Sequence, residues 1–336
     1  MMTNQRPTLH DVARQAGVSI ATVSYVLNGR RLDNKPINET TRQRVMQVVA
    51  DLGYMPNQSA RHLRRQSTER ICVVLPQLGI PYYEALCRDI ESVAEQYGYT
   101  VLLALAPSYE KEQKLLAQRA LADGIILVHG QSSSAELAQL AKTGTALVAF
   151  SNLVRGHQFD VVRTTEEEAF YQAVCYLIEK GHRRIAFLTA SKEGEPTQNT
   201  SFLAYQRALQ DQSIALDERL IVRTERSHRK EAYQSARELF QRSDRPDAVF
   251  AGSDVAAIAT IWAARDTGLR VPQDVAVIGA GNIPEGEINS PPLTTIGPTS
   301  LDFKDVGALM FSRLQQPDSP GRIHLCPWEL IVRESV

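Results

Sequence analysis

Hydrophobic positions follow two different rhythms along the chain. Up to residue 52 they recur at helical spacing in three short runs; from residue 70 compact β-branched runs alternate with longer amphipathic stretches. In the first part, TLHDVARQAGVSIATVSYVLNG predicts two helices around a tight turn. Thr8 caps the first helix, with Asp11 three residues on as the partner in a short capping box. Val12, Ala13 and Ala16 give it a small packing face, and Gly17 supplies the left-handed backbone of the turn. Ser19 caps the second helix, with Val23, Val26 and Leu27 inward and Ile20, Ala21, Ser24, Tyr25 and Asn28 outward. A third helix fits 39–52, capped by Asn38, with Val45, Val48, Val49 and Leu52 on one face and Gly53 at its end. A helix whose first turns expose small, short polar and aromatic residues suits a DNA major groove, although a plain αα-hairpin has the same spacing.

After residue 70, RICVVLP, YTVLLAL, DGIILVH and TALVAFS read as buried parallel strands, and RRIAFLT, ERLIVRT, DAVFAGS and VAVIGAG repeat the series. The expected fold is an all-α helix-turn-helix headpiece followed by an α/β core of two doubly wound lobes. A ligand cleft is expected at the carboxyl ends of the strands.

Composition supports this division. At 336 residues and 43% hydrophobic content the chain can bury several cores. The overall charge of −1 conceals an asymmetry: residues 1–68 hold ten basic against four acidic residues, +6, and the remainder carries −7. A cationic field confined to the small helical unit is the layout of a module that meets phosphate. The first residues lack the apolar stretch of a secretory signal, and no run approaches the ~18 apolar residues of a membrane span, so a cytoplasmic protein is expected. Cys72, Cys87, Cys175 and Cys326 are scattered and read as ordinary buried thiols.

Enzymatic chemistry has no candidate constellation. The histidines are dispersed, no nucleophile elbow or metal cluster is present, and no cofactor is expected. Gly279-Ala280-Gly281 lacks the third glycine and acidic partner of a dinucleotide site and reads as a turn after a strand. A doubly wound enzyme and a solute-binding protein are the rival readings; the second would carry an export signal and no headpiece.

TLHDVARQAGVSIATVSYVLNG, then TTRQRVMQVVADLGYMPNQSARHLR, closely resembles the headpiece and hinge of the lactose-repressor (LacI/GalR) family, with its DVA..AGVS..TVS.VLN and LGY.PN..AR.L hallmarks. The resemblance implies a transcription regulator, most often a repressor, acting on double-stranded operator DNA. It places Ile20, Ala21 and Tyr25 at base-reading positions, while Leu9, Ser19, Thr22, Ser24, Asn28 and Thr41 contact or support the phosphate backbone. Where many relatives carry an arginine able to grip guanine, this chain has Tyr25, and Ile20 with Ala21 offers methyl surface to thymine, so a less guanine-dependent half-site is expected. The segment GRRLDNKPI is longer than the family's usual loop. Its Arg30, Arg31 and Lys35 either add phosphate contacts or form a solvated charged loop. In the hinge the resemblance gives DNA contacts to Asn57, Ala60, Leu63 and Arg64. Leu63 is the minor-groove wedge, and Ala60 lets two hinge helices approach.

The core resembles the same family through PYYEALCRDIE, ADGIILV, EKGHRRIAFLT, FAGSDVAAIATIWAARDTGLRVPQDVAVIG and SPPLTTI, which implies a periplasmic-binding-protein-like fold. The expected divisions are 1–56 for the headpiece, 57–68 for the hinge and 69–336 for the core. Lobe 1 spans about 69–163 and 296–316, and lobe 2 about 164–292 and 322–336. Sugar-binding relatives place an arginine, an asparagine and an aspartate where this chain has Ser201, Ser253 (before Asp254) and Gly281, and an aspartate where it has Ser151. Tyr82 and Tyr83 occupy the positions where relatives stack aromatics on a ligand, and Gln77 and Asn282 are candidates for neutral hydrogen bonds. Losing the charge-assisted grip on a polyol favours a less polar, uncharged effector; an atypically held sugar and the absence of any small effector are the alternatives. A homodimer on a palindrome is expected, since one helix-turn-helix reads one half-site and no heptad helix follows residue 336 to build a tetramer.

Overall fold

A computed structural model describes residues 7–27, 37–54, 67–118, 121–190, 200–224 and 229–336. The chain divides between Thr68 and Glu69 into two compact units, each with its own core.

In the first unit, α1 (Leu9–Ala16), α2 (Ile20–Leu27) and α3 (Glu39–Leu52) form where their caps dictate. The Thr8 side chain accepts from the Asp11 backbone N–H, and the Asp11 carboxylate accepts from the Thr8 N–H at 3.0 Å, closing the expected capping box. Gly17 takes φ 62°, which lets the chain reverse into α2. Ser19 Oγ accepts from the Thr22 N–H at 3.0 Å, and Asn38 Oδ1 from the Thr40 N–H at 3.0 Å. Val12, Ala13, Ala16, Val23, Val45, Val48 and Tyr54 make the core, while Val26, Leu27, Val49 and Leu52 pack on it half-buried.

Among the described residues of the second unit, two six-stranded sheets form. The first contains β1 (Arg70–Leu75), β2 (Thr100–Leu105), β3 (Gly124–Val128), β4 (Ala146–Phe150), β5 (Asp160–Thr164) and β11 (Ile323–Cys326), in the order β11-β5-β4-β3-β1-β2, all parallel. The second contains β6 (Ile185–Ala190), β7 (Ile221–Thr224), β8 (Ala248–Ala251), β9 (Ala276–Ala280), β10 (Thr294–Gly297) and β12 (Glu329–Ile331), in the order β12-β10-β9-β8-β6-β7, with only β12 antiparallel to its neighbour. Helices α4 (Pro81–Gln96), α5 (Tyr109–Leu116), α6 (Ser134–Ala141) and α12 (Lys304–Gln315) belong to the first lobe. The second holds α7 (Glu166–Glu179), α8 (Thr200–Asp211), α9 (Arg229–Phe240), α10 (Asp254–Asp266) and α11 (Pro284–Ile288). Each sheet carries an apolar cluster on both faces, which is why its central strands read as unbroken hydrophobic runs.

The lobe boundaries differ from the sequence expectation at two points. Thr294–Gly297 pairs with β9 in the second sheet, so the chain returns to the first lobe after Gly297 and not at 296. Thr294, Thr295 and Ile296 are fully buried there, and the strand extends the sheet beside β9. The segment 322–336 is shared: Ile323–Cys326 extends the first sheet beside β5, and Glu329–Ile331 caps the second.

The crossing segments are held by polar groups. Asp160, fully buried at the start of β5, accepts from Arg313 Nη2 at 2.7 Å, from Arg322 Nη2 at 2.8 Å and from the Arg322 backbone N–H at 2.8 Å. Arg313, itself 1% exposed, also donates to the Pro317, Ser319 and Pro320 carbonyls. Burial alone would raise the Asp160 acid, but the Arg322 and Arg313 hydrogen bonds outweigh it and hold the carboxyl below its usual range. Replacing Arg313 by Met leaves the buried carboxylate and three carbonyls short of donors. The expected loss is about 3–5 kcal/mol of core stability, measured by urea unfolding; a loss under about 1 kcal/mol would contradict this account.

Candidate nucleic-acid interface and effector cleft

The exposed start of α2 is the chemically open surface of the first unit. Ser19, Ile20 and Ala21 are exposed, and Ser24 and Tyr25 are half-buried along the same helix. No acidic residue lies in the first turn of α2, so its unpaired N–H groups and positive dipole end meet no neighbouring carboxylate there. Ser19 Oγ also lies 2.9 Å from the Thr22 hydroxyl, fixing Thr22 in place. Leu9 packs on the hydrophobic core and Thr41 is half-buried in the first turn of α3, so Leu9 supports the surface from beneath. Arg14 and Arg42 are already paired, with Asp11 at 2.6 Å and Glu39 at 2.8 Å. Asn28, the loop bearing Arg30, Arg31 and Lys35, and the hinge residues Asn57, Ala60, Leu63 and Arg64 lie outside the described residues.

In the core, the strand order of each sheet reverses between its first and third strands, β1 and β3 in one and β6 and β8 in the other. A crevice at the carboxyl ends of such strands is where open α/β sheets take ligands. Gln77 follows β1, half-buried, and Tyr82 and Tyr83 lie in the first turn of α4. Tyr82 is 5% exposed, with ring centroids 5.0 Å from Phe303, 5.9 Å from Tyr83 and 5.9 Å from Trp328. Tyr83 stays half-open, 6.1 Å from the His129 ring. Burial pushes both phenols up, and the Glu166 carboxylate adds to the effect. Trp328 also meets Phe170 of the second lobe at 6.4 Å, so one indole joins the aromatic cores of both lobes.

Several residues expected to face a ligand have internal tasks instead. Ser151 Oγ accepts from the Leu153 and Val154 N–H groups at 3.2 and 3.3 Å, turning the chain after β4. Ser253 caps α10 by accepting from the Ala256 N–H at 3.2 Å. Asp254 is 1% exposed; its carboxylate accepts from the Thr295 hydroxyl and from the Ile283 N–H at 2.8 Å. It is therefore an anchor of the β9–α11 turn rather than a ligand group. Asn282 is committed likewise, donating to the Pro298 carbonyl and accepting from Arg333, each at 2.8 Å. Gly281 takes φ 126°, and its N–H donates to the Ile296 carbonyl at 2.7 Å. A Cβ on the facing Gly297 would come within 2.9 Å of Asn282, so the turn packs backbone against backbone. Ser201 is buried on α8.

Sequence reasoning did not single out His129 and Trp328, whose rings lie 6.1 Å from Tyr83 and 5.9 Å from Tyr82, or Glu166, which follows the Thr165 bonded to Trp328. Glu166 follows β5 and Trp328 separates β11 from β12, and none of these three strands announces itself by a long apolar run. His129 ends the foreseen strand β3 with φ 50°, a backbone turn that sequence spacing does not reveal.

Burial raises the Asp254 acid to about 6, against hydrogen bonds from Thr295 and Ile283 that act to lower it. The folded core then holds this proton more tightly than the unfolded chain, whose value is near 3.8. Its contribution to stability is greatest below pH 4 and falls as pH rises through 6, by up to about 3 kcal/mol at pH 7. Wild-type stability minus that of Asp254→Asn, taken from urea midpoints, should decline between pH 4 and 7; a flat difference would rule the account out.

Comparison with known proteins fits this geometry. Residues 8–57 match the bacterial regulatory proteins of the lacI family, and residues 174–336 match the periplasmic binding protein-like domain. The HTH-type transcriptional regulator RegA of Clostridium acetobutylicum is 33% identical over 98% of each chain. The solved complex of the transcriptional regulator CelR with cellobiose superposes with a TM-score of 0.66 at 28% identity, over 98% of this chain and 100% of that one. The lac repressor dimer bound to operator and the anti-inducer ONPF reaches a TM-score of 0.73 at 23% identity, over 98% and 99%, and shares the fold. With a relative of this identity along nearly its full length and a helix-turn-helix match where the caps place one, the chain belongs to the LacI family of bacterial regulatory proteins.

Proposed function

We propose that this regulator represses transcription in the cytoplasm by binding a palindromic operator as a homodimer, with a small ligand between the core lobes setting its affinity for DNA. The observation that carries the reading is the open N-terminus of α2, where Ser19, Ile20 and Ala21 are exposed with no acidic residue beside them, on the one unit of the chain with a net positive charge. Ile20, Ala21 and Tyr25 read bases there, and Leu63 wedges the central step. The methyl-rich reading surface favours thymine over guanine in the half-site.

Two exposed apolar sites of the core support dimer formation. Edge strand β2 presents Leu103 and Leu105, 54% and 46% exposed, and Ile288 ends α11 at 85%. Burying them against a second copy would remove that apolar area from water and cover an open sheet edge.

Selection of bound sequences from random DNA should return a palindrome, and Leu63→Ala should weaken binding to it by roughly tenfold or more, about 1.4 kcal/mol. Failure to enrich any sequence would reject operator recognition by the free protein. Leu103→Glu with Leu105→Glu should shift sedimentation from dimer to monomer and weaken operator binding in parallel. A variant that stays dimeric moves the interface elsewhere.

A further inference from the structure

One charged group in the cleft is explained neither by the fold nor by sugar recognition. Glu166 opens α7 directly after Thr165, whose hydroxyl joins the Trp328 backbone by accepting from its N–H at 2.8 Å and lying 3.0 Å from its carbonyl. The next two residues, Glu167 and Glu168, are exposed and pair with Arg207 at 3.8 and 3.1 Å. Glu166 differs from both: it is half-buried and, among the described residues, has neither a hydrogen bond nor an ion pair. The positive end of α7 explains why three carboxylates gather at its start. It does not explain why one of them is half-buried and left without an arginine partner.

Through Thr165 the start of α7 is bonded to the backbone of Trp328, whose ring lies 5.9 Å from that of Tyr82, itself 5.9 Å from Tyr83. Glu166 acts electrostatically on both phenols, and among the described residues no lysine or arginine offsets it at Tyr83. The ring planes are inclined by 75° between Tyr82 and Tyr83 and by 54° between Tyr82 and Trp328, so they form a corner rather than a stack. Tyr82 backs the corner, buried against Phe303, while Tyr83 and Trp328 keep part of their surface open. Ring faces are electronegative and attract cations at short range. An anionic ligand would meet an unpaired carboxylate, and a polyol would find neither the charged nor the amide side chains that hold it in relatives, since those positions are Ser201, Ser253 and Gly281.

We infer that the cleft takes an organic ammonium ion, its charge paired with Glu166 and its alkyl surface against Tyr83 and Trp328. The inference rests on the reading that this cleft is the effector site, and it replaces the uncharged ligand expected from sequence with a cationic one.

The test is calorimetric titration of the full-length protein with tetramethylammonium, choline and putrescine, and with ribose, cellobiose and adenine for comparison. At least one ammonium compound should bind, Glu166→Gln and Tyr83→Leu should each weaken it by roughly tenfold, and Glu167→Gln should leave it unchanged. Binding of a neutral sugar or adenine that is indifferent to Glu166→Gln overturns the inference, as does the absence of ammonium binding at millimolar concentration. Operator affinity of the wild type, measured without any amine, separates the two readings. Normal operator binding with no ammonium binding rejects the ligand class alone, whereas no operator binding rejects the regulator reading on which it rests.

Discussion

The closure of the first lobe depends on one buried charge. Asp160 ties the start of β5 to the end of α12 and the start of β11, both more than 150 residues further along the chain, through two guanidinium groups. A buried ion pair adds little stability over a well-packed apolar cluster, but it discriminates strongly against any arrangement that leaves the charge alone. The β11 strand has little else to specify its place: Ile323 and Leu325 remain 61% and 57% exposed, so hydrophobic burial does not dictate where it docks. The carboxylate supplies the registration that apolar contact does not.

The same logic recurs where the chain passes between lobes. Thr165 and Trp328 bind each other's crossing strands, and Asn282 holds the Pro298 carbonyl at another passage. The lobes are thus joined at neighbouring points that share hydrogen bonds, with the Trp328 ring lying between two aromatic cores. A ligand seated against Trp328 and Glu166 would touch the junction itself.

Much of this was legible in the sequence. The caps at Thr8, Ser19 and Asn38 and the turn at Gly17 are local chemistry, and local chemistry survives folding. Of the eight apolar runs, β1, β3, β4, β6, β8 and β9 are buried within their sheets, whereas β2 and β7 are edge strands that leave residues exposed and owe their place to pairing with a buried neighbour. β5, β10, β11 and β12 were not foreseen as strands. They are short, and those at sheet edges alternate or carry polar residues, so their pairing is decided by partners far along the chain. The cleft was read less well for a related reason. Sequence identified which sugar-binding groups are missing, but whether Asp254 or Asn282 faces a ligand depends on hydrogen-bond partners at 295, 298 and 333 that no local pattern reveals. Glu166 stands out only once β5 is in place and Thr165 is bonded to Trp328.

Gly281 carries a consequence for how this protein's specificity can change. Its φ of 126° belongs to a region open almost only to glycine, and Gly297 leaves the neighbouring backbone no room to relax. An aspartate introduced there would incur a backbone penalty of about 1–3 kcal/mol before it met any sugar hydroxyl. Any substitution at position 281 must first accommodate a main chain shaped for glycine, so the chemistry of this turn is difficult to change one residue at a time.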